Sequence, residues 1–392
     1  MSTTFTNYLP TKPTKIAVAM SGGVDSNTTA WLLKQAGHEL VGFTAWTLDG
    51  PGKCCNDALI HAGRMCDRLG IPYDTVDLRA EFKHFVMDYY ENNYAAGLTP
   101  NPCVECNEHV KWERLVGYAR ETWGVEYVAT GHYAQVHHHT DGPRKGDVSI
   151  FRSVDERKDQ TYMMAHVRPD DFKHALFPLG HMTKPDVVNI AKEAEIPEAD
   201  GKESQDVCFV MDGHANYMAG LLGKKTGPIV DIDENRVLGT HDGFYGFTIG
   251  QRKGINVSAN RPVYVIKLDA KTNTVYVGNP QHLETSHFTV LKPHWLSPRF
   301  SEPLAEGKTL TTMAKIRYGS APALATVTVG EVPNTLSVSL KTPLSAVTPG
   351  QICAFYDPDF VELYGGGYIE AYLPQAPTHD FPAMAPLAAC EL

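Results

Sequence analysis

The sequence predicts an α/β N-terminal domain with a parallel sheet, followed by two small, mainly β domains. Three observations lead to this fold class. Short apolar strands alternate with helical segments in the first half, turn-punctuated β runs fill the second half, and 392 residues exceed one ordinary core. The predicted divisions are an extension at 1–14, the α/β domain at 15–215, a central β domain at 216–285, a C-terminal β-barrel-like domain at 286–373 and a loose tail at 374–392.

In the first half, short β-branched runs predict buried strands, and the longer segments between them predict helices. Gly37 and Gly70 are placed to end the first two helices. The alternation at this spacing is typical of a parallel sheet covered on both faces. The predicted strands are 15–20, 39–44, 73–78 and 127–130, and the predicted helices are 27–35, 59–69, 79–96 and 103–122.

After about residue 215, Gly-Pro and Asp-Gly pairs separate short β-type runs, which favours small barrels or sandwiches. The stretch from 373 is rich in proline and alanine and predicts a loose tail. The predicted strands of this half are 263–268, 274–277, 310–318, 323–329 and 336–340.

The composition is that of a soluble globular protein, with 43% hydrophobic and 20% charged residues. Apolar runs fall short of the roughly 20 residues that cross a bilayer, and the polar first 15 residues do not resemble a signal peptide. We therefore expect a cytoplasmic enzyme with no membrane contact. The net charge of −10 argues against a simple electrostatic nucleic-acid binder, so a role on RNA has to rest on motifs.

The strongest local signal is SGGVDS at 21–26, between the first strand and the first helix. Gly22 and Gly23 allow a tight turn whose N–H groups converge on an anion, and the helix N-terminus favours phosphate. Ser21 and Ser26 can donate hydroxyl hydrogen bonds, and Asp25 can hold Mg²⁺. The loop resembles the PP-loop of ATP pyrophosphatases, which cleave ATP between the α- and β-phosphates and adenylate a carbonyl or amide oxygen. It lacks the Gly-Lys-Ser/Thr of a Walker loop.

The eight cysteines do not suggest a disulfide framework, because the chain is long and has no secretory signal. Cys103 and Cys106 follow Pro100-Asn101-Pro102 and fall in the first turn of a predicted helix, where the free N–H groups favour thiolate. A lone Cys-x-x-Cys is compatible with a redox pair, half a zinc site or coincidence. Cys208 follows about a hundred residues later, without the second pair that a zinc finger needs.

The order of motifs resembles the tRNA-specific 2-thiouridylase family over residues 15–372. The matching segments are TPNPCVECN (99–107), ATGHYA (129–134), RKDQTY (157–162), LFPLGHMTK (176–184), SQDVCF (204–209), GPIVD (227–231), FTIGQRKGI (247–255), IRYGSAP (316–322) and PGQICAFYD (349–357).

This resemblance implies ATP-dependent 2-thiolation of the wobble uridine in lysine, glutamate and glutamine tRNAs. ATP adenylates O2 of the uridine and releases pyrophosphate. The persulfide of Cys208, or sulfide freed from it by Cys106, then attacks C2 and expels AMP. Cys106 is the implied nucleophile and Cys208 the implied sulfur carrier, with persulfide and disulfide bond chemistry between them. Implied partners are tRNA and a sulfur donor protein, a cysteine desulfurase or relay protein, and we expect a monomer or weak dimer.

The resemblance also carries over contact residues by position. The implied ATP contacts are Ala19, Met20, Ser21, Gly22, Gly23, Val24, Asp25, Ser26, Ala45 and Gly131. The implied tRNA contacts are Asn101, Pro102 and Cys103 at the target base and His132, Lys158, Asp159, Gln160, Arg317, Tyr318 and Gln351 elsewhere.

The chain departs from the family pattern at Cys103, where many members carry Asp, a candidate acid–base residue. Cys103, Cys106 and Cys208 could ligate a 4Fe-4S cluster with one iron open to sulfide. Alternatively, the third thiol is a bystander or a resolving cysteine in a metal-free relay. Cys54 and Cys55 are predicted loop residues of unassigned role, and Ala45 stands where a larger residue usually lines the adenine pocket.

Two other functions would be consistent with part of these motifs. Another PP-loop synthetase or amidating enzyme would need the loop but not the two cysteine segments. A non-catalytic RNA-binding iron–sulfur protein would not need an intact SGGVDS loop.

Overall fold

The computed structural model describes residues 10–49, 56–196 and 207–370. Cys54, Cys55, most of the predicted N-terminal extension and the tail after 373 lie outside these residues. No helix of the described ranges is both long and apolar enough to span a bilayer.

The first half is built around a parallel five-stranded sheet, as the sequence predicts. Its order is β3-β2-β1-β4-β7. The strands of this half are β1 (Lys15–Ala19), β2 (Glu39–Trp46), β3 (Tyr73–Asp77), β4 (Tyr127–Ala129), β5 (Ala134–His138), β6 (Val148–Arg152) and β7 (Ala175–Leu176). The four predicted strands are confirmed; β7, with two residues, is too short to give a periodic signal.

Helices cover both faces of this sheet. Ile16 and Val18 pack into one core cluster and Ala17 into the other, because successive strand residues point to opposite faces. Within the described residues the α-helices are α1 (Val24–Gln35), α2 (Asn56–Leu69), α3 (Arg79–Phe82), α4 (Tyr89–Ala95), α5 (Pro102–Glu105), α6 (Gly117–Trp123), α7 (Pro169–Phe172), α8 (Lys184–Glu193), α9 (His214–Leu222) and α10 (Pro298–Ala305).

Two long helices contain π-helical segments. Lys83–Asp88 joins α3 to α4, and Cys106–Val116 joins α5 to α6, so each predicted helix runs on without a break. Such segments occur often at functional sites. Short 3₁₀ turns lie at Gly142–Arg144, Thr161–Met164, Pro178–His181, Phe244–Gly246 and Pro280–Leu283.

The second half forms two β units. A four-stranded sheet of order β10-β11-β8-β9 comes first. Its strands are β8 (Gly227–Asp231), β9 (Arg236–His241), β10 (Tyr264–Asp269) and β11 (Thr274–Gly278).

A six-stranded barrel follows, with the strand order β12-β15-β14-β13-β16-β17. It is closed because β12, the first strand in this order, pairs with β17, the last, as well as with its neighbour β15. The hairpin of β5 and β6 adds to its β17 side, so a segment of the first half belongs to the barrel sheet. The strands are β12 (Glu284–Trp295), β13 (Leu310–Lys315), β14 (Ala323–Val329), β15 (Thr335–Ser345), β16 (Ile352–Tyr356) and β17 (Glu362–Ile369).

The strand order places a crevice at the end of β1. The chain leaves β1 toward β2 on one side, while β4 lies on the other side. In open α/β sheets, ligands bind where the order reverses, outside the carboxyl ends of the strands. Gly131, in the turn after β4, lies there against Asp25 and Ser26, in the loop and helix start that follow β1.

Candidate active site

The loop after β1 is held by its own serines. The Ser21 N–H donates to Ser26 Oγ at 3.0 Å, and Ser26 Oγ donates to Gly23 O at 3.1 Å. Gly22 has φ +69°, and a Cβ there would lie 2.7 Å from Ala58 O, so glycine is required. Gly23 caps α1 without a side chain, which leaves the first N–H groups of the helix to a ligand.

Residues from the neighbouring strands complete this loop. A Cβ on Gly131 would stand 2.9 Å from Ser26 N, so the turn after β4 lies directly against the start of α1. Met20 and Val24 are buried, while Ala19 and Ala45 are half-buried. Thr44 Oγ1 donates to Met20 O at 2.8 Å and fixes the end of β1 against β2.

Asp25 is the ionic centre of this crevice. Lys184 Nζ lies 2.7 and 2.9 Å from its two carboxylate oxygens, and Tyr133 OH donates to Oδ1 at 2.9 Å. Lys184 opens α8, which Thr183 caps in a capping box with Asp186. Our sequence reasoning missed Lys184 and Tyr133, although both lie in segments that match the family, LFPLGHMTK and ATGHYA.

The turn with Cys103 and Cys106 has the predicted helix-start geometry. Asn101 is the N-cap, and its side chain accepts the Cys103 N–H at 3.2 Å; Pro102 is the first helical residue. Cys103 is exposed and Cys106 half-buried. Between them, Glu105 is 3% exposed, and burial raises the pKa of its carboxyl to about 7.

Cys208 is exposed, and its neighbour Phe209 anchors it. The Phe209 ring lies 5.9 Å from Phe82, 5.2 Å from Tyr90 and 5.7 Å from Tyr217, in edge-to-face contacts. Phe82 and Tyr90 belong to the helix 79–95, and the π-helical part of that helix packs against α5. The Cys103–Cys106 turn and the Cys208 segment therefore rest on one helix.

The barrel holds the loop in front of α5. Gln351 Nε2 donates to Thr99 O at 2.9 Å and to Pro100 O at 3.4 Å. The Thr99 N–H donates to Pro349 O at 3.0 Å. Tyr162 OH donates to Ile352 O at 2.7 Å, which fixes the strand after Gln351. Gln351, expected at the tRNA, thus also connects the barrel to the cysteine turn.

Several other expected tRNA contacts are engaged within the protein. Asp159 is 6% exposed; its carboxylate accepts the Ser153 N–H at 3.0 Å and the Thr161 hydroxyl at 2.8 Å, and burial raises its pKa. Gln160 Oε1 accepts the Tyr133 N–H at 2.8 Å. The side chain of Asp159 therefore supports its loop through internal hydrogen bonds, and its contact with tRNA stays a prediction.

His132 and Lys158 are both half-buried. His132 Nδ1 lies 2.7 Å from Thr130 Oγ1, and burial lowers the pKa of its imidazole well below the usual value. The imidazole is therefore neutral near pH 7 and acts as a hydrogen-bonding group, not as a cation.

Arg317 and Tyr318 lie on the exposed turn after β13. Tyr318 is 42% exposed, and its ring lies 6.4 Å from that of Tyr162. Because Tyr162 also contacts the Gln351 strand, this surface adjoins the cysteine turn. A cation beside an exposed aromatic ring suits phosphate and base contacts.

The parallel sheet and the glycine loop at its switch point define a nucleotide-binding protein of the PP-loop class. Three family models match in succession: the tRNA methyl transferase HUP domain over 14–212, the tRNA methyl transferase PRC-barrel domain over 215–279 and the aminomethyltransferase beta-barrel domain over 285–369. The chain belongs to the tRNA-specific 2-thiouridylase MnmA family.

Similarity to curated relatives over nearly the whole chain shows this membership. The chain is 38% identical over 364 residues to the tRNA-specific 2-thiouridylase MnmA of Synechococcus sp. (strain JA-3-3Ab), covering 92% of this chain and 95% of the relative. It is 39% identical over 362 residues to that of Trichormus variabilis, covering 91% and 99%. Among solved structures, the U34-tRNA thiolase NcsA from Methanococcus maripaludis with its [4Fe-4S] cluster matches weakly, with TM-score 0.34, 19% identity and 51% and 61% of the two chains.

Proposed function

We propose that this protein is an ATP-dependent tRNA 2-sulfurtransferase that replaces O2 of the wobble uridine by sulfur. Membership in the 2-thiouridylase family indicates the enzyme class. One structural observation supports the proposed chemistry most directly. The Cys103–Cys106 turn and the Cys208 segment rest on the same helix, and the barrel holds the loop before that turn through Gln351.

The first step needs a leaving group on C2. In this proposal the N–H groups at the start of α1 and the ammonium of Lys184 bind the phosphates of ATP. Uridine O2 attacks the α-phosphorus, the bond to the β-phosphate oxygen breaks, and pyrophosphate leaves. The uridine is then adenylated at O2, which makes AMP the leaving group of the next step.

The second step transfers sulfur. In one route the terminal sulfur of a Cys208 persulfide attacks C2 and AMP leaves. The Cys106 thiolate then attacks the Cys208 sulfur, which leaves the sulfur on C2 and joins Cys106 to Cys208 as a disulfide that an external thiol reduces. In the other route Cys106 first frees sulfide from the persulfide, and the sulfide attacks C2. The helix N-terminus around Cys103 and Cys106 favours the thiolate form that both routes need.

Two metal groups belong to the proposal. Asp25 offers carboxylate oxygens to Mg²⁺, although Lys184 and Tyr133 already contact them. Cys103, Cys106 and Cys208 are the thiols that would hold a 4Fe-4S cluster, and none of the three is fully buried. When bound, such a cluster supplies an iron position that can take up sulfide.

Several finer points stay predictions. These are a cytoplasmic location, a monomer or weak dimer, a cysteine desulfurase or relay protein as sulfur donor, and the domain limits 15–215, 216–285 and 286–373. The four-stranded sheet at 227–278 and the barrel at 284–369 support these limits.

Anaerobic thiolation of unmodified tRNA tests the route, with ATP, Mg²⁺ and two alternative sulfur sources in parallel: sulfide, which a cluster can take up, and a cysteine desulfurase with cysteine, which delivers persulfide sulfur. The assay compares metal-stripped protein with protein in which an iron–sulfur cluster has been rebuilt. Thiouridine formed by the rebuilt protein alone assigns the three cysteines as cluster ligands, while equal activity assigns Cys106 and Cys208 to a persulfide relay. Absence of thiouridine in both overturns the proposed function.

Cys106→Ser separates this function from that of another PP-loop synthetase. We expect the variant to lose thiolation and to keep pyrophosphate release in the presence of tRNA. A synthetase that does not use the cysteines would keep its full reaction.

A further inference from the structure

A group of carboxylates and imidazoles lies beside Cys106, where α5 passes into the π-helical segment. Glu108 and His109 follow Glu105 by three and four residues, which places both of them beside Glu105 on the helix surface. One ligand atom of each lies within 4.8 Å of the other two. We propose that these three side chains form a binding site for a divalent transition-metal ion of the Zn²⁺ class, independent of the cysteine chemistry.

The ligand atoms converge. His109 Nε2 is 3.8 Å from Glu105 Oε2 and 3.9 Å from Glu108 Oε1. Ligands bound to one ion at about 2.0–2.2 Å stand roughly 3–4 Å apart, so small side-chain movements would close the site. The Phe85 ring stacks on the His109 imidazole at 4.4 Å and restricts its rotation.

Each of the three side chains has a second contact that orients it. His109 Nδ1 lies 3.1 Å from Glu113 Oε2, Tyr368 OH donates to Glu105 Oε1 at 2.6 Å, and His166 Nδ1 lies 3.5 Å from Glu108 Oε2. Metal-binding histidines usually donate the other ring N–H to a carboxylate or carbonyl, and ligating carboxylates are themselves hydrogen-bonded. This arrangement leaves His109 Nε2, Glu105 Oε2 and Glu108 Oε1 for the ion.

The charge and burial of the carboxylates also favour a bound cation. Glu105 is 3% exposed, and the half-buried Glu108 and Glu113 add two more carboxylates near it. Buried carboxylates are costly unless a cation compensates them. A dication would neutralise Glu105 and Glu108, while the His109 N–H serves Glu113.

A buried nitrogen of His166 that lacks a hydrogen-bond partner is an independent observation beside this site. It is 5% exposed and contacts Glu108, yet its Nε2 has no hydrogen-bond partner among the residues that the structure describes. Buried polar atoms in native proteins are normally satisfied by protein or water. A water bound to the proposed ion would supply the missing partner.

The donor set selects the class of ion. Two carboxylate oxygens and one imidazole nitrogen suit Zn²⁺ and similar divalent ions, whereas Ca²⁺ and Mg²⁺ favour oxygen ligands alone. Through Glu105 and Tyr368 the ion would tie the helix that carries Cys106 to β17 of the barrel.

Zinc titration of the full chain tests the proposal. Cys54, Cys55, Cys103, Cys106, Cys208 and Cys390 are replaced together by serine, so that the buried Cys66 and Cys353 are the thiols that remain, and the protein is freed of metal with a chelator. Calorimetry with Zn²⁺ should give one tight site. We expect Glu108→Gln and His109→Ala each to weaken binding at least 100-fold, and Glu113→Gln about 10- to 100-fold.

His282→Ala is the matched control, because this exposed imidazole also lies beside a carboxylate, 2.7 Å from Asp233, but belongs to a different part of the fold; it should leave the affinity unchanged. Absence of a tight site in the serine-substituted parent overturns the proposal, as does unchanged affinity in Glu108→Gln and His109→Ala. Should those two variants misfold, the X-ray absorption spectrum of the parent loaded with Co²⁺ decides. It should show only nitrogen and oxygen ligands with an imidazole signature, and a spectrum without imidazole overturns the assignment.

Discussion

The ammonium of Lys184 lies 2.7 and 2.9 Å from the two carboxylate oxygens of Asp25, although 159 residues separate them. The Lys184 side chain is 15% exposed and that of Asp25 30% exposed, so the pair is partly shielded from water. The contact brings the start of α8 to the start of α1. It therefore places a cation at the edge of the glycine loop 21–26.

We expect Lys184→Ala to lower kcat/KM for ATP by about 10²- to 10³-fold, since it removes a preorganised cation from a site where phosphate charge develops. Release of AMP and pyrophosphate in the presence of tRNA measures the effect. Lys192→Ala, an exposed lysine on the same helix, is the control and should change little. Equal rates in the two variants would remove Lys184 from the ATP site.

Gln351→Ala should loosen the loop before α5. The substitution deletes hydrogen bonds to Thr99 O and Pro100 O and should cost about 1–3 kcal/mol of stability, with a fall in kcat. Thermal unfolding and single-turnover thiolation measure the two effects. Gln281→Ala, at an exposed glutamine, should affect neither. A stable, fully active Gln351→Ala enzyme would contradict the connection between barrel and loop.

The cysteines should differ sharply in reactivity. Burial raises the pKa of Cys66 to about 12 and also raises that of the fully buried Cys353, so both remain protonated thiols at pH 8. In reduced, native protein, iodoacetamide should modify Cys103 and Cys208 long before these two. Peptide mass spectrometry after timed quenching gives the order, and denatured protein, in which all cysteines react, is the control. Early modification of Cys66 would show that its surroundings are more open than described.

Arg317→Ala should weaken tRNA binding similarly for all tRNA sequences, because the exposed guanidinium suits a phosphate contact. The negative slope of log affinity against log salt concentration should become less steep by about 0.7–0.9, because one phosphate contact is lost. Arg236→Ala serves as the control, since Arg236 is exposed and already paired with Glu234 at 2.9 Å. An unchanged slope in Arg317→Ala would place the RNA elsewhere.

Local patterns predicted much of the first half of the fold. The strand at Lys15–Ala19, the glycine loop and the helix start at Asn101 all follow from short segments whose residues dictate their own backbone geometry. The family resemblance added the assignment of Cys106 and Cys208, which spacing alone left open.

What the sequence did not reveal depends on distant contacts. The hairpin of β5 and β6 joins the barrel by pairing with β17, more than 200 residues later, and no local period encodes that partner. The pairs Lys184–Asp25 and Tyr368–Glu105 likewise exist only after the chain has folded. The burial of Asp159 was missed for the same reason, because a charged residue in a polar loop gives no sign of an internal partner.

The most direct test of the central claim is nucleoside mass spectrometry of unmodified tRNA after incubation with the enzyme, ATP, Mg²⁺ and a sulfur source, with AMP counted in the same sample. We predict 2-thiouridine at the wobble position, matched by one AMP for each thiouridine formed, and none with Cys106→Ser. Consumption of ATP without thiouridine, under both metal-free and cluster-loaded conditions, would contradict the account.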